Sequence, residues 1–466
     1  MLTDTAFEKL YQSGNDASST SNVISSISWV PKGAFKLIPT ILADSMTEPP
    51  KDPKEQQDDD DEDNEMEDSE MNDDEQVEEE ETSKIGGLEE ISLEELLYKS
   101  VGGKNLTMYE NNEQDPYLKG RGLSDSSEEE DFELKATDLP LVAIHNEEDG
   151  LTTLQVWIYE QEEDNLFMHH DLLLGNYGLC THWLNLSSIS QPSNCIAIGT
   201  FEPQIEIWDL DIVDPIEPVM ILGNETDSKK KKSQSMGHKG AILSMSFRSS
   251  DSKLASGSDD KSIVIWDLSN QKPFYQVKGA GASPIQSVQF HHTEQNILLA
   301  CPISDHVCKV FDAKQQNSKP KSFNLQKFNN VFPDIESAIW NPNNPYEFVC
   351  AQDNGFITCF DIRNEKTPVY NINAHSGASC SSISFSNLKS NLMASVGSDS
   401  CVRLWNTKTS TPELVYTKNV KKSMSDIYSC AFAPSTLNDD IILAYGGSGG
   451  NLSVLNISLL TSQSYN

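Results

Sequence analysis

The residues best equipped for chemistry in this chain are His238, Ser256 and Asp260, followed by a second set at nearly the same spacing, His375, Ser395 and Asp399. Serine, histidine and aspartate can act together as nucleophile, base and orienting carboxylate in acyl transfer. The same three groups can also satisfy one another in a buried polar network that does no chemistry. Asp260 lies six residues before Trp266, in a position to form the turn before a strand and reach His238, while Ser256 and Trp266 complete a relay. Trp405 closes the second set. We read both as structural tetrads, with no catalytic residue, no metal site and no cofactor. The adjacent His169 and His170 suggest a metal, but neighbouring residues on a strand point to opposite faces, so the pair is read as incidental. Gly446 to Gly450 (GGSGG) has neither the strand-then-helix setting nor the lysine of a phosphate-binding loop, and is read as a turn.

The elements that must position these residues are legible from Gly237 to Leu268, GHKGAILSMSFRSSDSKLASGSDDKSIVIWDL. Three short apolar runs, around Ile242 to Phe247, Leu254 to Ala255 and Ile263 to Trp266, are separated by Ser, Asp and Gly turns. Runs of this length, rich in Ile, Val, Phe and Trp, suit strands buried on both faces. A Gly-His start and a Trp-Asp end complete a unit that resembles the WD40 propeller repeat. In that family such a His, Ser, Asp and Trp set fastens the outer strand to the inner ones.

The fold expected is therefore all-β, a WD40 β-propeller of seven four-stranded blades. Closing dyads near 157, 208, 266, 311, 360, 405 and 455 recur at steps of 51, 58, 45, 49, 45 and 50 residues. The longest step contains GNETDSKKKKSQSM, residues 223–236. Its Lys229, Lys230, Lys231 and Lys232 read as an import signal, an RNA-backbone contact or a plain solvated loop. Later repeats weaken: Asp305 and Asn354 hold the turn position before Phe311-Asp312 and Phe360-Asp361, and glycines hold it before Leu455-Asn456. The outer strand of the seventh blade is expected from Leu460 to Asn466 or from the first twenty residues, so that strands from both ends of the chain close the ring.

Four segments follow. Residues 1–46 are a lead carrying the first propeller strand, within 22–35; residues 47–131 are an acidic disordered insertion; residues 132–460 form the propeller; residues 461–466 are a short tail. The net charge of −38 is concentrated in the insertion, where 17 of the 24 residues from Asp58 to Glu81 are acidic and none is basic. Such a composition does not bury enough apolar surface to order itself. Without those residues the charge is still about −21, which excludes a broad electrostatic footprint for nucleic acid. Leu93 to Lys99 follows capping-box spacing at Ser92 and Glu95 and is expected to be a brief helix. Ser126 and Ser127 each precede a glutamate by three residues and are candidate phosphosites. Nine cysteines without a CxxC pair read as reduced core residues of an intracellular protein. No basic-then-apolar leader opens the chain and no run reaches 18 apolar residues, so neither secretion nor a membrane is expected.

Three stretches narrow the family: Thr153 to Leu174 (TLQVWIYEQEEDNLFMHHDLLL), Phe201 to Gly223 (FEPQIEIWDLDIVDPIEPVMILG) and the lysine loop after it. With the acidic insertion and QDPY at Gln114 to Tyr117, they resemble the periodic tryptophan protein family from Ser21 onward. The chain departs in having Phe or Leu at several tryptophan positions and in stopping just after the last blade. The resemblance implies a nuclear and nucleolar, non-enzymatic scaffold. It implies support of rRNA transcription, rRNA processing and large-subunit assembly, with pre-ribosomal proteins and rRNA as partners, direct or bridged. A histone-binding chromatin regulator is the alternative. A cullin-type ubiquitin ligase substrate receptor is a third reading, motivated by Phe360-Asp361-Ile362-Arg363. No small-molecule substrate is expected.

Overall fold

The computed structural model describes residues 22–40, 133–186, 194–223, 236–312, 319–434, 436 and 439–458. The acidic insertion with the helix expected at 93–99, Ser126 and Ser127, the lysines at 229–232 and both candidates for the last outer strand lie outside them.

Among the described residues twenty-seven strands form seven antiparallel meanders. Blade one is β1 (Val23–Trp29), β2 (Leu139–Asn146), β3 (Thr152–Glu160) and β4 (Asn165–Leu174). Blade two is β5 (Gly178–Asn185), β6 (Asn194–Thr200), β7 (Ile205–Asp209) and β8 (Met220–Leu222). Blade three is β9 (Ile242–Arg248), β10 (Lys253–Ser258), β11 (Ile263–Asp267) and β12 (Lys272–Val277). Blade four is β13 (Ile285–Phe290), β14 (Ile297–Pro302), β15 (Val307–Asp312) and β16 (Lys321–Asn324). Blade five is β17 (Ile335–Trp340), β18 (Glu347–Gln352), β19 (Phe356–Asp361) and β20 (Tyr370–Asn373). Blade six is β21 (Cys380–Phe385), β22 (Leu392–Gly397), β23 (Cys401–Asn406) and β24 (Glu413–Asn419). Blade seven is β25 (Ile427–Phe432), β26 (Ile442–Gly447) and β27 (Leu452–Asn456), three strands among the described residues.

The first strand is shorter than the alternating pattern of 22–35 suggests. It ends at Trp29, because Pro31 has no N–H to continue a ladder; the chain then runs to Thr40, whose N–H donates to the Asp211 carbonyl at 2.8 Å.

A single blade cannot bury both faces, and the core lies between blades. Seven apolar clusters each draw on two neighbouring blades, and one of them joins Ile442 and Ala444 of blade seven to Ile24, Trp29 and Leu141 of blade one. The ring thus closes by face-to-face packing of blades one and seven. All nine cysteines are free thiols, and all except Cys180 are buried.

Innermost strands have one unpaired edge, and buried backbone N–H groups need partners. Serines of the preceding blade supply them. Ser26 Oγ accepts Thr181 N–H (3.1 Å), Ser244 and Ser246 accept Val288 and Phe290 N–H (3.0 Å each), and Ser287 accepts Ala338 N–H (3.2 Å). Ser384 accepts Phe432 N–H and Ser429 accepts Ile27 N–H, both at 3.2 Å, so the closing joint uses the same stitch as the others.

Antiparallel meanders fix which loops share an end. Turns between second and third strands, and the connections from one blade to the next, lie at one end, called upper here; the other turns lie at the lower end.

Candidate functional site

The structure brings each tetrad together. In blade three, Trp266 Nε1 donates to Ser256 Oγ at 2.8 Å, Ser256 Oγ is 2.7 Å from His238 Nε2, and His238 Nδ1 is 3.3 Å from Asp260 Oδ2. In blade six the matching distances are 2.9 Å for Trp405 to Ser395, 2.9 Å for Ser395 to His375 and 2.8 Å for His375 to Asp399. An indole N–H only donates and a carboxylate only accepts, which sets the direction: His Nδ1–H donates to the aspartate, serine O–H to Nε2, and tryptophan to the serine oxygen.

Burial pushes the Asp399 carboxyl up, but hydrogen bonds from His375 and Arg403 outweigh it and bring it down to about 2. Asp260 likewise falls well below the usual range, burial being overcome by His238, Ser262 and the Lys239 amide. Burial lowers His375, against the raising effect of Asp399. Ser256, Ser395 and His375 have no exposed surface. A nucleophile must meet its substrate, and these hydroxyls meet only their own network. Gly355 supports the next connection: its carbonyl accepts the Ala374 and His375 N–H groups at 2.9 Å each, and at φ 82° a side chain there would run into the His375 carbonyl.

The degraded repeats keep half of the device. Asp305 accepts the Ala282 and Ser283 N–H groups at 2.9 Å each and pairs with Lys309 at 3.2 Å. Asn354 accepts the Phe356 N–H at 3.1 Å. Gly449 and Gly450, at φ 78° and 66°, make the corresponding turn of blade seven.

One expectation is corrected. His169 and His170 do not point apart, because the β3–β4 register slips between Val156 and Trp157 and leaves His169 as the extra residue of a bulge. Their Nδ1 atoms lie 2.7 Å apart. At that distance they share one proton, and burial pushes His170 down to about 3. Among the described residues no group of three His, Cys, Asp or Glu side chains could hold a metal. Arg363 of the Phe360 to Arg363 tetrapeptide is engaged within the chain: its guanidinium reaches Asp361 at 2.5 Å and lies 4.3 Å from the Tyr346 ring centre.

Sequence reasoning missed a second seven-fold pattern. Every innermost strand slips register near its start, leaving Ser25, Leu179, Leu243, Gln286, Glu336, Ser381 and Tyr428 at equivalent upper-end positions. Glu336 is the only charged member. Burial, with the Asp353 and Asp334 charges adding to it, pushes its carboxyl up to about 7.

The two insertions root at opposite ends. The acidic segment leaves after Thr40 and returns before Leu134, whose N–H donates to the Leu37 carbonyl at 2.8 Å; it connects β1 to β2 and is rooted at the lower end. The lysine loop connects β8 to β9, at the upper end.

Seven blades closed into a ring by the packing of blade seven on blade one, two of them latched by His, Ser, Asp and Trp, define a WD-repeat propeller. Comparison with known proteins agrees. Residues 366–406 match the WD domain, G-beta repeat, and residues 172–344 match the family described as nucleolar protein 10-like, N-terminal domain. A WD repeat-containing protein of Schizosaccharomyces pombe, described as uncharacterized, is 31% identical over 358 residues, covering 74% of this chain and 67% of that protein. The chain belongs to the WD-repeat family. Within it the chain is similar to periodic tryptophan protein 1: the Drosophila melanogaster homolog of that protein is 33% identical over 285 residues, 60% of each chain. Periodic tryptophan protein 1 of Saccharomyces cerevisiae is 27% identical over 420 residues, 74% of this chain and 70% of that one.

Proposed function

We propose that this protein is a non-enzymatic scaffold of ribosome assembly, working in the nucleus and nucleolus. It supports rRNA transcription, rRNA processing and large-subunit assembly by holding pre-ribosomal proteins, and rRNA directly or through them. The observation that carries this reading is the match of residues 172–344 to the nucleolar protein 10-like domain in a chain that is also similar to periodic tryptophan protein 1. The physics is compatible with it. A chain of net charge −38 attracts basic proteins and repels nucleic acid except where lysines gather. The acidic stretch at 58–81 shields basic ribosomal proteins, and phosphate on Ser126 or Ser127 strengthens that charge. The lysines at 229–232 serve import or RNA contact. The His, Ser, Asp and Trp sets serve stability alone.

The test is purification of the tagged protein from nuclei, with and without RNase, followed by identification of RNA and proteins. Pre-rRNA with large-subunit ribosomal proteins supports the proposal, and the RNase arm reports whether RNA bridges them. Histones without pre-rRNA overturn it in favour of a chromatin role.

A further inference from the structure

The connection from β16 to β17 carries a small hairpin at the upper end. Phe328 and Val331 exchange both backbone hydrogen bonds at 2.9 Å, and Asn329 and Asn330 between them have φ of 48° and 64°. Two successive positive φ values define a tight primed turn, which asparagine tolerates better than most residues. The side chains it displays are apolar and wet: Phe328, Val331 and Phe332 are 47%, 68% and 41% exposed. The hairpin is braced from two blades. Phe332 stacks on His306 of the β14–β15 turn at 4.9 Å, and Phe328 lies 4.9 Å from Phe356, just past the β18–β19 turn. The backbone thus holds an apolar knob up to solvent.

Negative charge flanks it. Asp334, two residues after Phe332, donates its N–H to Asp353 Oδ1 at 2.9 Å, and Glu336 stands within the influence of both carboxylates. The neighbouring donors are committed: Lys327 lies 4.5 Å over the Phe332 ring and His306 Nδ1 donates to the Pro333 carbonyl at 2.9 Å.

We infer that this hairpin and its acidic flank are a docking surface for a basic protein segment in which an apolar residue adjoins a lysine or arginine. The apolar residue covers Phe328 and Val331, and the cation meets Asp334, Asp353 and Glu336. Charge complementarity selects this occupant: three carboxyl groups beside the knob repel nucleic acid and acidic peptides, and a purely apolar partner leaves Glu336 desolvated with no opposite charge. The inference goes beyond the ribosome-assembly reading and does not depend on it.

A photo-crosslinking amino acid placed at Val331 of the full chain tests it, with Leu414, exposed on the outer strand of blade six, as the control position. Crosslinked peptides are sequenced by mass spectrometry. The expected result is adducts specific to Val331, on peptides of net positive charge with an apolar residue beside Lys or Arg, reduced at least ten-fold by Asp334→Asn with Glu336→Gln. Phe328→Ser, an exposed change with little bearing on folding, reduces them similarly, and raising the salt before irradiation weakens them without any substitution. Yields no higher than at Leu414, adducts to RNA or to acidic peptides, or yields indifferent to Phe328→Ser and to salt overturn the inference.

Discussion

His375 Nδ1 lies 2.8 Å from Asp399 Oδ1, closer than the 3.3 Å that separates His238 from Asp260 in the other complete latch. Arg403 accounts for the difference. Its guanidinium donates to Asp399 Oδ2 at 2.6 Å and lies 2.7 Å from His375 Nδ1, drawing the pair together, whereas blade three has Val264 at that position. Asp399→Ala leaves a buried histidine and an arginine without their partner and is expected to cost about 3 kcal/mol, against about 2 kcal/mol for Asp260→Ala. Urea unfolding of both variants checks the order; equal midpoints would remove Arg403 from the account.

The same aspartate gives the acid limb of stability a signature. Its carboxyl titrates at about 2 in the folded chain and near the ordinary value when unfolded. The unfolded state therefore binds the proton first, so this stability is present above about pH 4 and is lost as pH falls toward 2. Asp399→Asn should flatten the loss of melting temperature across that interval, while leaving the titration of exposed carboxylates elsewhere unchanged.

Glu336 has the opposite sign. A folded value of about 7 lies above the ordinary glutamate value, so the folded state holds its proton more tightly and stability falls as pH rises from about 4.5 through 7. Glu336→Gln should be nearly neutral at pH 5 and stabilising at pH 8, by up to roughly 3 kcal/mol before discounting for solvent at the upper end of the strand. Melting curves at the two pH values decide it, and a pH-independent difference would mean that the carboxyl ionises normally.

Ring closure has its own hydrogen bond, from Trp29 Nε1 to the Ala431 carbonyl at 2.8 Å. Trp29→Phe keeps most of the apolar contact, removes the donor and strands that carbonyl, with an expected loss of 1–2 kcal/mol, to be taken as ~1 kcal/mol beyond the packing change. Amide exchange in β25 and β1 should accelerate before that in blade four, the part of the ring far from the seam. Uniform acceleration would show that the seam has no separate opening.

The period of the fold was legible because both signals behind it are local: a short apolar run buried on both faces, and an aspartate and aromatic at fixed distance around a turn. Ser256 and Trp266 could be placed together on that spacing alone. The serine stitches carried a weaker signal, the small residues alternating in VISSISW, ILSMSFR and CSSISF, which mattered only once each strand had a neighbour across the ring. His169 was misjudged because a bulge reverses the facing of one residue, and a bulge depends on the partner strand rather than on the residue itself. Glu336 was passed over for the same reason. The Phe328 to Val331 hairpin had Asn-Asn as its signal, obscured by its place inside a connection instead of between two long strands.

The pairing of β1 with β2 sets a timetable. The residues from Val30 to Asp138 number 109, so at ordinary rates of synthesis β1 waits roughly 5–20 s for its first partner. It waits far longer before β25 and β26 arrive to cover its other face. The newborn protein is thus an open arc with an apolar flank on blade one until β25 and β26 have been made. A premature stop anywhere before Ile427 releases that arc unclosed, a substrate for chaperones and proteases rather than a shorter propeller.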